Sequence, residues 1–222
     1  MSKLYFRYGA MNSGKTTALL QVAHNYEEKG MNVVVIKSAI DTKGDNKVTS
    51  RLGIERKVDV ILAPNEGIME HMVNKRPDAI IVDEAQFLTV DQVDELYAIT
   101  KTYGVPVLAY GLRCDFQMKG FPGASRLLEL ADDIEELKTI CSCGQKATQN
   151  VRLVNGEPVF TGEQISIDNQ DEIKYDSVCG TCYLKLREKV DGVTVGKIKS
   201  NTITTNTSDT INTTSTEKKS FH

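Results

Sequence analysis

The chain has 222 residues, 40% of them hydrophobic, which is enough for one main core and a small additional lobe. Its formal net charge is −3 and its lysines and arginines are spread out, so a basic surface for nucleic acid is not expected. No apolar run reaches the ~18 residues of a membrane span, and the N-terminus lacks the pattern of a signal peptide. These features favour a cytoplasmic protein that binds neither nucleic acid nor a membrane.

A phosphate-binding loop is predicted at residues 9–16, which fit the pattern G-x-x-x-x-G-K-[ST] at every fixed position. The loop lies between a predicted strand at residues 3–8 and a predicted helix that opens at Thr17, which is the context that the motif requires. Loop amides and the helix N-terminus attract phosphate, Lys15 adds a full positive charge, and the Thr16 hydroxyl would hold Mg²⁺. The residues assigned to the phosphates of a nucleoside triphosphate are Gly9, Ala10, Met11, Asn12, Ser13, Gly14, Lys15 and Thr16.

Strands and helices alternate through the first two thirds of the chain. The further predicted strands are residues 33–36, 58–62, 79–82 and 105–110, with helices at 66–75 and 89–103. Thr89 followed by Gln92 has the pattern of a capping box. Residues 38–56 are polar and contain two glycines, and we expect a long mobile loop there. The alternation predicts an α/β fold of the P-loop, RecA-like type, with a mainly parallel sheet and helices on both faces.

An acidic pair, Asp83 and Glu84, ends the apolar strand at residues 79–82. In a P-loop enzyme, Asp83 would be the acidic partner of Mg²⁺, while Glu84 would reach the nucleophile and accept its proton as the catalytic base. Plain solvation is the usual explanation of such a pair, but a complete phosphate loop elsewhere in the chain makes it the weaker one here. We assign Asp83, Glu84, Ala85 and Gln86 to the ATP site.

Four of the five cysteines form two close pairs, which in a reducing compartment indicates metal binding rather than disulfides. Together they supply a closed structural zinc site of four thiolates: Cys141, Cys143, Cys179 and Cys182. The alternative is a set of buried or redox-active cysteines. Cys114 has no nearby partner in the sequence and, like the three histidines, receives no role.

Three segments follow from these patterns. Residues 1–140 form the nucleotide-binding domain, and residues 141–190 form a zinc-binding lobe with a hairpin at Asn155-Gly156 and a closing helix at residues 180–189. Residues 191–222 are rich in Thr, Ser, Asn and Lys and are expected to be a disordered tail.

Five short sequence segments occur in the order that is typical of one known family. They are residues 9–16, Asp41-Thr42-Lys43, Asp83-Glu84-Ala85-Gln86-Phe87, Gly111-Leu112-Arg113-Cys114-Asp115-Phe116 and Tyr175 to Cys179. With these segments, residues 2–190 resemble the type II thymidine kinases, the bacterial and human cytosolic class with an appended zinc lobe. The resemblance implies a homotetramer that transfers the γ-phosphate of ATP to the 5′-hydroxyl of thymidine or deoxyuridine, giving dTMP from thymidine in nucleotide salvage.

The resemblance also implies a nucleoside site. Leu112 and Phe116 would enclose the thymine, Met11 would lie close to it, and Tyr175 would reach it from the small lobe. A lasso would hold the base through backbone groups, at Gln164, Ile165, Ser166, Ile167 and Asp168. The chain departs from many relatives at Asp168-Asn169, where they have Gly-Gly, and at Lys43, where they have Arg.

Two rival classes remain open from the sequence. The block from Asp83 to Gln86 also resembles a helicase acidic motif, although motors usually pair two such cores and this chain has one. A zinc-ribbon binding module would have a damaged phosphate loop, and this loop is intact. ATP turnover titrated with thymidine and with DNA separates the three classes.

Overall fold

The computed structural model describes residues 2–41, 46–73, 75–164 and 172–192. The main domain contains β1 (Leu4–Tyr8), α1 (Lys15–Glu27), β2 (Val33–Ser38), β3 (Lys47–Thr49), β4 (Glu55–Lys57), β5 (Val60–Leu62), α2 (Ile68–Met72), β6 (Ala79–Asp83), α3 (Val90–Thr102), β7 (Val107–Gly111), α4 (Pro122–Leu130) and β8 (Asp133–Glu136). The remainder contains β9 (Thr139–Ile140), β10 (Lys146–Ala147), β11 (Gln149–Val154), β12 (Glu157–Val159), β13 (Ile173–Val178) and α5 (Gly180–Asp191).

The central sheet has the strand order β5-β2-β6-β7-β1-β8, and every neighbouring pair is parallel. All residues of β2, β6 and β7 are buried, because helices cover both faces of these strands. The predicted parallel α/β fold is therefore confirmed. Strand β8 was not predicted from the sequence, and its residues Asp-Ile-Glu-Glu are largely exposed at the edge of the sheet.

Successive residues of each strand enter two separate cores, one on each face of the sheet. Val34 and Ile36 of β2 pack in the core beneath α2, α3 and α4, whereas Val33 and Val35 pack in the core beneath α1. This alternation follows from the period of two along a strand. The parallel pairing of β1, β7 and β6 brings the carboxyl ends of these strands together at one edge of the sheet.

The prediction of one long loop at residues 38–56 was wrong where the structure describes that segment. Strands β3 and β4 form an antiparallel hairpin there, from Lys47 opposite Lys57 to Thr49 opposite Glu55. Val48 is buried and packs in the α1-side core, while its neighbours on the hairpin are polar and exposed. A single inward apolar residue is too weak a signal for a strand in sequence, and residues 42–45 lie outside the described part.

Other boundaries differ by short distances. Strand β5 begins at Val60 rather than residue 58, and α2 spans only Ile68–Met72 of the predicted 66–75. The predicted capping box is present, since the Thr89 side chain accepts from the Gln92 amide and Gln92 Oε1 accepts from the Thr89 amide. Of the predicted tail, only residues 191 and 192 are described, and Asp191 still belongs to α5.

The small lobe has its own core, formed by the three-stranded sheet β12-β11-β13, the β9–β10 hairpin and α5. Tyr183 of α5 is completely buried and packs edge-on against Phe160. Its hydroxyl donates to the backbone carbonyl of Phe116 at 2.7 Å, which connects the lobe to the loop after β7. Within the described residues, no helix combines the length and apolar character needed to cross a membrane.

Candidate active site

The phosphate loop closes tightly over the start of α1. A side chain at Gly9 would place its Cβ 2.3 Å from Ser13 Oγ and 2.5 Å from the Leu137 carbonyl oxygen, so only glycine fits there. Asn12 and Gly14 have left-handed backbones with φ of 64° and 78°. Backbone turns of this kind, placed before the N-terminus of a helix, are typical of loops that bind phosphate oxygens.

Lys15 is the buried cation of this loop, with 9% of its surface exposed. Its Nζ lies 3.2 Å from the Gly9 carbonyl, 2.9 Å from the Ala10 carbonyl and 3.5 Å from Ser13 Oγ. Burial lowers the pKa of Lys15, and the negative charges of Glu84 and Asp83 act in the opposite direction. A phosphate beside the loop would add further negative charge and favour the ammonium form.

Asp83 and Glu84 lie where β6 ends, at the same edge of the sheet as the phosphate loop. Asp83 is 7% exposed, and burial, followed by the charge of Glu84, raises its pKa to about 7. Glu84 has a left-handed backbone, with φ 47° and ψ 44°, which is uncommon for a residue with a side chain. The two carboxyl groups and the Thr16 hydroxyl are oxygen donors of the kind that a hard divalent cation prefers.

Gln86 connects Glu84 to the loop after β7. Its Nε2 donates to Glu84 Oε2 at 2.5 Å, and its Oε1 accepts from the Leu112 amide at 2.9 Å. The side chain is 2% exposed, and a Cβ at Gly111 would lie 2.7 Å from Gln86 Oε1. Gln86 therefore orients the proposed base, while Ala85 begins a short 3-10 helix and is buried.

A second polar connection joins the small lobe to both core loops. Asn150 of β11 is buried; its Oδ1 accepts from the Met11 amide at 2.8 Å, and its Nδ2 donates to the Cys114 carbonyl at 3.0 Å. Asn150 was not among the residues predicted from the sequence. Its partners are remote in sequence, and the only local signal was a polar residue beside the apolar part of a strand.

Three of the residues assigned to the nucleoside contact a buried arginine that was not among the residues predicted from the sequence. The guanidinium carbon of Arg152 lies 3.7 Å from the centre of the Phe116 ring, and Arg152 Nε donates to the Tyr175 hydroxyl at 3.1 Å. Its Nη2 donates to the carbonyls of Glu163 and Gln164 at 2.6 and 3.3 Å. The structure thus brings Phe116, Tyr175 and Gln164 together, while the predicted positions 165–168 and Lys43 lie outside the described residues.

The four cysteines of the two pairs also come together. The sulfur atoms of Cys141, Cys143, Cys179 and Cys182 all lie within 4.8 Å of one another. Backbone hydrogen bonds lower the pKa of Cys141 to about 6, whereas the neighbouring cysteine side chains, Cys143 first, raise that of Cys182 to about 12. Four thiolates so close together need a cation, so the cluster is suited to a metal ion.

Sulfur spacing supports that fit. The Cys143 and Cys179 sulfurs are 3.6 Å apart, and a tetrahedral zinc ion with bonds of about 2.3 Å separates its ligands by about 3.8 Å. Cys179 caps α5 and its sulfur accepts from the Cys182 amide at 3.4 Å, which fixes this pair by local backbone geometry.

Comparison with known proteins places this site in a family. The sequence model described as "Thymidine kinase" matches residues 2–183. Thymidine kinase of Chromobacterium violaceum is 44% identical over 185 residues, which cover 82% of this chain and 98% of that protein. Thymidine kinase of Mannheimia succiniciproducens is 46% identical over 184 residues, covering 81% and 93%.

Among solved structures, the Pif1 helicase of Candida albicans aligns with 63% of this chain and 36% of its own chain. The TM-score is 0.38 and the identity 16%, a likeness too slight to carry an argument.

Proposed function

The chain belongs to the thymidine kinase family, and on that premise we propose that it transfers the γ-phosphate of ATP to the 5′-hydroxyl of thymidine or deoxyuridine. With thymidine the product is dTMP, which assigns the chain to pyrimidine deoxynucleotide salvage. The observation that carries the proposal is the shared edge of the sheet: the phosphate loop with Lys15 and the carboxylate of Glu84 lie together there, and Gln86 joins Glu84 to the loop that bears Leu112.

The reaction follows from the roles of these side chains. The loop amides and Lys15 bind the β- and γ-phosphates and stabilise the negative charge that shifts toward ADP in the transition state. Glu84 orients the 5′-hydroxyl and accepts its proton as the oxygen attacks the γ-phosphorus. The bond between that phosphorus and the β,γ-bridging oxygen breaks, and ADP leaves.

The proposal includes two metals with different roles. Thr16 and Asp83 would hold Mg²⁺, which when bound supplies positive charge to the phosphates. The buried, raised-pKa carboxyl of Asp83 fits this role, because a cation would stabilise its ionised form. The four cysteines would hold one structural Zn²⁺, and a closed site of four protein ligands leaves no open position for catalysis.

The remaining parts of the proposal concern organisation. We assign residues 1–140 to the kinase domain, although β9 at their end pairs with β10 of the lobe. We assign 141–190 to the zinc lobe with the nucleoside lasso, and 191–222 to a dispensable tail. A homotetramer in the cytoplasm, without a nucleic-acid or membrane partner, is what family resemblance supports.

ADP release tests the activity. The purified protein is incubated with ATP and Mg²⁺, and with thymidine, deoxyuridine, single-stranded DNA or no acceptor. Thymidine-dependent ADP release with formation of dTMP is expected, and Lys15→Ala should abolish it without loss of the fold. Release that depends on DNA would indicate a motor instead, while no release with any acceptor would indicate a binding module.

A further inference from the structure

Arg152 is a charged side chain that contacts three described parts of the proposed nucleoside site. It lies on β11, is 5% exposed, and stands opposite Tyr175 of β13 in the sheet register. We propose that Arg152 is a positioning residue that sets the thymidine affinity of this site without touching the reacting atoms. The inference rests on the proposed function, because it assumes that Phe116, Tyr175 and the backbone at Gln164 hold the nucleoside.

The contacts of Arg152 are made with neutral groups. Its guanidinium stacks on the Phe116 ring, and its nitrogens donate to a phenol oxygen and to two backbone carbonyls. Among the described residues, no carboxylate forms an ion pair with Arg152. A buried arginine without such a partner is a costly way to stabilise a fold, since apolar residues of similar volume often serve at least as well. We infer that Arg152 instead serves to orient its neighbours, because the planar guanidinium presents several donors in a fixed geometry and so fixes several acceptors in one orientation.

The groups that Arg152 orients come from separate segments. Phe116 belongs to the loop after β7, Tyr175 to β13, and Glu163 and Gln164 to the chain after β12. The backbone of Phe116 is also held by the Tyr183 hydroxyl at 2.7 Å, so its ring is fixed from two directions. Loss of the guanidinium would leave each segment in place but remove what aligns the ring, the phenol and the two carbonyls with one another.

The same segments are joined at two further points, which limits the damage from a change at Arg152. Gln117 Nε2 donates to the Gly162 carbonyl at 2.6 Å, and Gln164 Nε2 lies 3.4 Å from the Gly120 carbonyl. Lys15 and Glu84 make no hydrogen bond with Arg152 among the described residues. We therefore expect thymidine binding to weaken while ATP binding and the chemical step persist.

The test compares Arg152→Met and Arg152→Lys with a matched control, Arg56→Met. Arg56 also donates to several acceptors, namely Glu27, Asp59 and the carbonyls of Lys57 and Val33. It lies on β4 and contacts β2 at its amino-terminal end, whereas the proposed site lies at the carboxyl ends of the strands. Each protein is assayed for KM of thymidine, KM of ATP, kcat and melting temperature. The methionine keeps apolar contact with Phe116 and removes every donor, whereas the lysine keeps the charge without the planar fork.

For Arg152→Met we expect KM for thymidine to rise about tenfold or more, because hydrogen bonds from a charged group are lost. KM for ATP and kcat should change by less than about threefold. That change is well below the effect expected from losing one hydrogen bond to a charged group. Arg152→Lys should lie between wild type and Arg152→Met. Arg56→Met should lower the melting temperature and leave KM for thymidine unchanged.

Other outcomes would overturn the inference. If KM for thymidine and KM for ATP rise together, or if neither changes, Arg152 is only structural. If both Arg152 variants lack a cooperative melting transition, Arg152 is required for folding and the positioning role is rejected. A wild-type protein without thymidine-dependent turnover would overturn the proposed function itself, which distinguishes that failure from failure of the role of Arg152 alone.

Discussion

Replacing Gln86 with methionine tests whether the orientation of Glu84 is set by its neighbour. The change keeps the volume of the side chain approximately constant and removes the donor to Glu84 Oε2 at 2.5 Å and the acceptor from the Leu112 amide at 2.9 Å. The first contact concerns catalysis, since it holds the proposed base. The second concerns stability, since it satisfies a buried backbone N–H.

The two contacts give separate magnitudes. A hydrogen bond to a charged group contributes about 1.5–3 kcal/mol, which corresponds to about a 10- to 150-fold loss of kcat if the bond is fully used in the transition state. An unpaired buried amide at Leu112 costs about 1–3 kcal/mol of stability. For a chain of this size, each kcal/mol lowers the melting temperature by about 2–4 °C, so a decrease of about 2–12 °C is expected.

Gln92→Met is the matched control for this experiment. Gln92 is another buried glutamine with several hydrogen bonds, to Thr89 and to the carbonyls of Ala63 and Glu66, but it lies at the start of α3. Both variants should melt earlier than wild type, while only Gln86→Met should lose kcat in the ADP-release assay at saturating substrates. The orienting role would be refuted if kcat of Gln86→Met lay within about threefold of the control, because losing one hydrogen bond to a charged group should lower kcat by more than that.

Further changes test the base, the metal cluster and the buried carboxyl. Glu84→Gln should lower kcat by about 10²–10⁴-fold, the usual effect of removing a general base. Its ATP affinity, measured by calorimetry, should be unchanged. A parallel loss of ATP affinity would indicate that Glu84 is a nucleotide or metal ligand. Cys182→Ser should lose the proposed zinc ion and thymidine binding but keep ATP-analogue binding, whereas Cys114→Ser should keep the metal. Both are checked by mass spectrometry and titration, and an active wild type without metal would contradict this. Because the pKa of Asp83 is raised to about 7 in the fold, its favourable contribution is complete below pH ~4 and disappears as pH rises through about 7. In Mg²⁺-free urea unfolding, Asp83→Asn should therefore gain stability relative to wild type between pH 5 and 8, and a difference that is independent of pH would reject the raised pKa.

Local patterns were sufficient to propose those parts of the candidate site that lie within one segment. The phosphate loop is a continuous motif with fixed positions, and the carboxylates follow a strand whose buried residues all read as apolar. Strand β2 was predictable for the same reason, since Val33 to Ile36 face cores on both sides of the sheet. In each case the information lies within a few neighbouring residues.

Contacts between distant segments could not be predicted in that way. Arg152 reads as one more polar residue in a strand, and its role depends on Phe116, which is 36 positions earlier and reaches it only through the fold. Strand β8 was missed because its residues are acidic except for Ile134, and its place in the sheet comes from pairing with β1. Backbone pairing can place such a strand at an edge without an apolar pattern.

Asn150 gives the lobe a direct connection to the phosphate loop as well as to the nucleoside side of the site. The Asn150 side chain accepts from the Met11 amide and donates to the Cys114 carbonyl. The same two hydrogen bonds therefore hold the lobe against the core and help to order the phosphate loop. If thymidine strengthens these two contacts, it raises the affinity for ATP, and ATP raises the affinity for thymidine by the same factor, because coupling between two binding sites is reciprocal. The dissociation constant of an ATP analogue, measured with and without thymidine, gives that factor, and in Asn150→Ala it should approach one.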